Sequence, residues 1–408
     1  MDGTHALAMI VCGIGALLAR VGLALYHAGL VRAKNAAGTV LRHAADFCIA
    51  TLAFWAVAPA ILVPGGRSFL GIYVGHFLGI TPIATLANPV APDLFFLLVT
   101  ALIGTGILVG ALAERTRFFP SLAGSLLLAA IIIPVTQRWA KFGWLADVGF
   151  RDLSGASFIH LAAALCALAG SSVIGPREGK YNHDGSSNAV PGHSVPLAST
   201  GVLLLLVAWF PYLLGYAGFA SAPLVAMNLI LAAAAGGLTS LLVGNFRYGK
   251  PDVYLTYAGI LGGLVAIGAC ADAVSNGFAL LIGAVAGILV PMGMLLVDIR
   301  WRIDDPGGGI AIHGVGGAWG LIAAGMLTPA STVTLWARHL GIQILGLVII
   351  GLFAGGLSWT LFLVLRSATT LRPREADEYD GLDLAEHDIS AYPDFQQTTI
   401  KSYHLREA

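Results

Sequence analysis

Two stretches decide how this chain is built: DLSGASFIH, from Asp152 to His160, and DPGGGIAIH, from Asp305 to His313. In each, an aspartate stands eight residues ahead of a histidine, glycines or small residues fill the interval, and an apolar stretch of helix length follows. An aspartate in that place reads as a helix N-cap, and Pro306 falls at a first helical position, where proline is tolerated. Eight residues of helix rise about 12 Å, and half of a bilayer's hydrocarbon core is about 15 Å. The spacing therefore predicts that each histidine lies close to a membrane midplane.

Composition supports a membrane setting. Of 408 residues, 57% are hydrophobic and 11% charged, with a mean hydropathy of +0.82. Soluble proteins carry about 25% charged residues, so the chain reads as a polytopic membrane protein. A formal net charge of zero argues against a nucleic-acid partner. Cys12, Cys48, Cys166 and Cys270 are scattered through apolar stretches without metal-ligand or redox spacing, so we read them as small core residues and expect neither a metal site nor a cofactor. Met1 to Thr4 lack the basic start of a secretion signal, and no cleaved leader is expected.

A spanning helix needs about 20 largely apolar residues. By that measure eleven stretches qualify, at roughly 6–31, 43–63, 93–112, 119–138, 153–175, 196–219, 223–244, 252–271, 276–297, 307–327 and 334–365. With the N-terminus outside, the inner loops hold Arg32, Lys34, Arg42, Arg115, Arg117, Arg177, Lys180, Arg247, Lys250, Arg300 and Arg302, against Arg67, Arg138, Lys141, Arg151 and Arg338 outside. This asymmetry predicts an N-out, C-in topology. The two histidine-bearing helices then run antiparallel, as in an inverted repeat of five plus five spans with one extra helix. The expected fold is thus all-α, with a membrane domain over 1–366 and a cytosolic tail over 367–408.

Seven segments in order carry a family resemblance. They are GLVRAKN (Gly29–Asn35), DFCIATLAFWAV (Asp46–Val57), GALAERTRF (Gly110–Phe118), GPREGKYN (Gly175–Asn182), RYGKPD (Arg247–Asp252), RIDDP (Arg302–Pro306) and HGVGGAWG (His313–Gly320). In these the sequence resembles the ammonium transporter family, which includes the methylammonium permeases and Rhesus proteins. The resemblance implies eleven helices, a pseudo-twofold between the first ten, a pore through each subunit, a homotrimer and residence in the cell membrane.

Two imidazoles at the midplane can share a proton, one nitrogen donating and the other accepting. Ammonium loses its hydration on entering hydrocarbon, at a cost of several kcal/mol, whereas ammonia can cross while histidines relay the proton. The resemblance assigns that role to His160 and His313; the blander alternative has each bonding a neighbouring helix. Asp152 matches an aspartate that either steadies an incoming cation or caps a helix, and the cap accounts for it more simply. Trp139 matches a vestibule tryptophan whose face can hold a cation; alone, it would read as an interfacial anchor.

The recruitment site departs from the family pattern. Thr100 stands at a gate phenylalanine and Leu97 at a glutamine, while Phe96 is kept; Tyr212 replaces the second gate phenylalanine and Tyr216 an ion-binding serine. Gly308 stands where many relatives have an aspartate. Arg20 lies inside the first span, where a lone arginine costs at least about 2.5 kcal/mol; Asp46 is a candidate partner, and an Arg20 facing the vestibule would repel ammonium. The tail motif EADEYDGLDLAEH, from Glu375 to His387, with Gly381, Leu382, Asp383 and His387, resembles a regulatory tail that meets a PII signalling protein. There Asp388 replaces a glycine, and composition alone would leave the segment solvated. Three readings follow: transport of ammonium or ammonia, a transport-impaired ammonium sensor signalling through its tail, and a neutral-gas or water channel.

Overall fold

The computed structural model describes residues 3–62, Leu78 and 93–393, and among these it contains helices and no strand. The helices are α1 (Gly3–Leu30), α2 (Ala36–Leu62), α3 (Leu94–Ala111), α4 (Phe118–Val148), α5 (Ala156–Ile174), α6 (Val195–Ala217), α7 (Ala222–Tyr248), α8 (Val253–Ile267), α9 (Asn276–Arg300), α10 (Ile310–Leu327) and α11 (Val333–Ala368). Two short tail helices follow, α12 (Glu375–Asp380) and α13 (Leu382–His387). Ten helical stretches among the described residues are long and apolar enough to cross a membrane, and the protein is an integral membrane protein. The remaining helix, α8, has only 15 residues. Its continuation is irregular but buried, and its carbonyls are satisfied: Ser154 N donates to Gly268 O, Leu153 N to Ala269 O, and Asn228 Nδ2 to both Ala271 O and Val274 O. Such backbone is tolerated at membrane depth only when protein surrounds it.

The apolar positions sort by environment. Ala16, Ala19, Ile103, Phe158, Ala162 and Leu264 are buried, whereas Leu7, Val11, Leu238, Leu352 and Leu363 point outward. Only 22% of the most apolar window of α11 is buried, so that helix is largely a peripheral one.

The two histidine helices differ in detail from the sequence expectation. Helix α5 starts at Ala156, after Gly155 in a left-handed conformation (φ +97°), and α10 starts at Ile310, so Pro306 lies in the preceding turn and not at a first helical position. Both begin with a widened π-helical turn, in which His160 N donates to Gly155 O at 2.9 Å. From Ala156 to His160 the helical rise is therefore about 6 Å, half the expected value. The helices nevertheless run antiparallel. A Cβ on Gly317, four residues after His313, would lie 2.5 Å from the carbonyl of Ala156, four residues before His160. Gly314 instead abuts Ala164.

Six basic residues counted as loop residues from sequence prove to lie in these helices: Arg42 in α2, Arg138 and Lys141 in α4, Arg247 in α7, Arg300 in α9 and Arg338 in α11. Arg67 falls outside the described residues. Arg20 points into the protein and not into a vestibule: its Nη2 sits 2.5 Å from Asp46 Oδ2, and it donates to Leu102 O (2.8 Å) and His43 O (2.9 Å). The guanidinium is thus buried and paired, which is how such a charge persists inside a membrane protein.

At the tail-side end, four of the recognisable motifs converge on one ionic knot. Glu114 accepts from Arg32 Nε (2.5 Å), Asn35 Nδ2 (3.1 Å) and Arg177 Nη1 (3.0 Å), while Arg177 also grips Asp304 through Nε and Nη2 (2.7 and 2.9 Å). Arg115 Nη2 donates to Asp304 O. Burial alone would raise the Asp304 carboxyl, but Arg115 and Arg177 hold it well below the usual carboxylate range. Glu114, Arg115, Arg177 and Asp304 are buried, and Arg32 is half-buried. Replacing Arg177 with alanine takes from Asp304 its two-pronged partner and from Glu114 one of its two arginines, and is expected to cost about 3–5 kcal/mol; an unchanged melting transition in detergent would contradict this account of the knot.

Candidate functional site

Asp152 fixes the start of α5. Its Oδ1 accepts from the amides of Gly155 (2.9 Å) and Ala156 (3.0 Å), and its Oδ2 from Ser157 N (2.7 Å) and Ser157 Oγ (2.5 Å). Burial raises its pKa, against the pull of those hydrogen bonds and of Lys141. Both oxygens are engaged by the helix start, the geometry of a cap. At the opposite end Asp305 does the same for α10, accepting from Gly309 N (3.1 Å) and Ile310 N (2.7 Å), and burial pushes its pKa up to about 6.

From these two starts His160 and His313 meet. Their ring centroids are 5.1 Å apart and their planes 13° from parallel, with only 1% and 4% of each residue exposed. No shared hydrogen bond joins them, in contrast to the pairing expected from sequence; each Nδ1 is buried and without a partner in the chain. Trp209 covers the other face of His160 (5.5 Å, 12°), its indole N–H bonded to Leu264 O. Tyr212 Oη donates to Ser154 O and lies 3.4 Å from His160 Nε2. The surroundings are apolar and aromatic, with the two unpartnered nitrogens buried among them.

Towards the Asp152 end an aromatic column continues from Tyr212 to Tyr216 (5.9 Å), which packs edge-on against Phe96 (5.0 Å). The Tyr216 hydroxyl meets Thr100 Oγ1 (3.0 Å) and Gln137 Nε2 (2.8 Å). So Thr100 and Tyr216 bond to each other. Trp139 lies 3% exposed against Phe353 (4.9 Å) and Trp144 (6.3 Å). Sequence reasoning missed Lys141 here. Its Nζ donates to Leu153 O (2.9 Å) and Asp152 O (3.3 Å) and sits 5.2 Å from the Tyr216 ring centre, a cation–π distance. A lysine in the run RWAKFGW, between two tryptophans, was the available signal, and it was taken for a loop charge.

The tail packs beneath the helices. Asp383 caps α2, its carboxylate accepting from Ala37 N (2.9 Å) and Gly38 N (2.6 Å), an anion at a helix N-terminus. Leu382 N donates to Asn35 Oδ1, Arg42 pairs with Glu386, and His387 meets Phe118 edge-on at 5.1 Å. Gly381 takes φ +112°, and a Cβ there would come within 2.7 Å of Lys34. Asp388 adopts the left-handed conformation (φ 52°) that a glycine would take without strain. Among the described residues no group of three or more His, Cys, Asp or Glu could hold a metal ion.

Residues 7–392 match the Ammonium Transporter Family. The chain belongs to that family. Among its curated relatives, the ammonium transporter Amt2 of Archaeoglobus fulgidus is 32% identical over 95% of this chain and 87% of its own. Amt2 of Haloferax mediterranei is 31% identical over 92% and 86%. Of solved structures, one titled Sensor Amt Protein superposes with a TM-score of 0.90 at 32% identity, over 95% of this chain and all of that one. Candida albicans Mep2 shares the fold, with a TM-score of 0.81 at 22% identity over 92% and 88%. As a family member the protein is a transporter-type membrane protein and not an enzyme.

Removing the cap with Asp383→Ala is expected to cost the tail contact about 0.5–2 kcal/mol and to speed amide hydrogen exchange in residues 375–388. Exchange unchanged from the parent would show that the cap does not hold the tail.

Proposed function

We propose that the protein moves ammonium or ammonia across the membrane through a passage centred on His160 and His313. The observation that carries this is the buried, near-parallel imidazole pair at the crossing of two capped antiparallel helices, with an unpartnered Nδ1 on each ring. A neutral imidazole offers either a donor or an acceptor without a fixed charge. Ammonium that leaves its proton to the pair avoids the desolvation cost of crossing as an ion. We assign Phe96, Thr100, Trp139, Asp152, Tyr212 and Tyr216 to the approach at the Asp152 end. The passage is read as lying within an eleven-span subunit, N-out and C-in, in a homotrimer surrounded by membrane lipid. The tail is read as its regulatory element and as the surface for a PII signalling protein, because α13 already caps α2 from below.

A second reading has one specific observation in its favour. The Lys141 side chain ends in an ammonium group, and it holds the cation–π position over Tyr216 where an arriving ammonium ion would compete with it. That arrangement, with the likeness to the structure titled Sensor Amt Protein, suits a protein that binds ammonium weakly or conducts it poorly and reports it through the tail.

One experiment separates these. In vesicles, the transport reading predicts an ammonium-evoked current that His160→Ala abolishes. The sensor reading predicts no current in the parent but ammonium-dependent changes in tail exchange. A neutral-gas channel would pass ammonia without current. In either of the first two cases Lys141→Met removes the competing charge and is expected to tighten ammonium binding about tenfold, or about 1.4 kcal/mol; unchanged binding would rule out competition at Tyr216.

A further inference from the structure

A second imidazole pair lies apart from the first, between the ends of α1, α2 and α3. His27 Nδ1 and His43 Nε2 are 3.1 Å apart, with ring planes within 17° of parallel, so one ring's N–H points to the other's lone pair. Both residues are buried, at 3% and 4% exposure. The outer edge of His27 faces the chain that leads to His313: a Cβ on Gly110 would lie 2.2 Å from His27 Nε2, and one on Gly307 3.0 Å from it. Tyr26 Oη fixes that same loop by donating to Gly307 O at 3.2 Å. The other end of the pair, His43 Nδ1, is buried without a partner, as is Asp46 Oδ1 three residues later on the same face of α2. Asp46 Oδ2 is taken by Arg20 (2.5 Å) and by Thr105 Oγ1 (3.0 Å).

We propose that His27 and His43 form a second proton relay, joining the tail-side half of the passage to the Asp46 carboxylate. This rests on the passage reading above. In one tautomeric state His27 carries its proton on Nδ1 and donates to His43 Nε2, which leaves His27 Nε2 an acceptor and His43 Nδ1–H a donor. A proton arriving at His27 Nε2 displaces the Nδ1 proton onto His43 Nε2, and the His43 Nδ1 proton passes to Asp46 Oδ1 through a bridging water, the two atoms not being bonded to each other. One proton enters, one leaves, and both rings end in the opposite tautomer; the reverse transfer resets them. The charged groups around the pair are Arg20 from α1 and Asp46 from α2, with the Thr105 hydroxyl from α3. Protonating Asp46 weakens its hold on Arg20. Asp46 belongs to the helix whose first turns carry the tail, through Gly38 and Arg42, so the relay links the passage to the tail.

The test is magic-angle-spinning NMR of the full chain in lipid bilayers, with nitrogen-15 in the histidine rings and carbon-13 in the aspartate carboxyls, with ammonium chloride or potassium chloride added. The relay predicts His27 and His43 nitrogen shifts averaged between protonated and unprotonated positions. It also predicts that ammonium, and not potassium, moves the Asp46 carboxyl signal towards the acid form, and that His43→Gln abolishes this response. Fixed tautomers in both rings, or an Asp46 signal indifferent to ammonium in the parent, would overturn the proposal without any variant having to fold. A parent lacking ammonium-evoked current counts against transport alone, because the relay is decided by the spectrum.

Discussion

The structure depends on two helices that start in the interior of the protein instead of at its surface. A helix start leaves amide groups unsatisfied, and in a membrane no water is available to bond them. Asp152 and Asp305 solve this from opposite ends, each turning its carboxylate onto the first amides of the helix it precedes. Because both helices then have fixed origins and run antiparallel, the histidine at the same offset in each reaches the same place. The imidazole pair follows from capping chemistry repeated in two halves of the chain.

Much of this was legible in the sequence, and the remainder was hidden for identifiable reasons. Spans with long apolar runs, such as α3 and α11, were placed within one to three residues of their observed ends, because hydropathy and length suffice. The start of α2 was missed by seven residues, since Lys34, Arg42 and His43 look like a loop until Glu386, Glu378 and His27 are there to receive them. The helical rise ahead of the histidines was overestimated, because a cap by spacing says nothing about the glycine turn between Asp152 and Ala156 or about the widened first turn that follows. Arg20 and Asp46 were suggested as partners by residue type, but only the fold shows that three acceptors enclose the guanidinium. Lys141 was the largest omission at the site. Its cation is held by backbone carbonyls of a loop eleven and twelve residues later and by a ring on another helix, and neither contact leaves a pattern in the sequence.

The motifs that carried the family resemblance turn out to be mainly structural. Arg32, Glu114, Arg177 and Asp304 lie far apart in the chain and meet in one knot at the tail-side end. Around Tyr216 a hydroxyl bond from Thr100 and the Lys141 cation meet, Tyr212 bonds the Ser154 carbonyl, and the tail is tied to α2 by a cap and an ion pair.

The central claim is that two imidazoles delivered by separate halves of the chain stand together in the buried, apolar interior. Dipolar-recoupling NMR between selectively labelled His160 and His313 rings in bilayers measures it most directly. The account predicts a strong through-space coupling consistent with ring centres 5.1 Å apart, with cross-peaks to Trp209 and none to lipid chains. Absence of that coupling, or contact of either ring with lipid acyl protons, would contradict it.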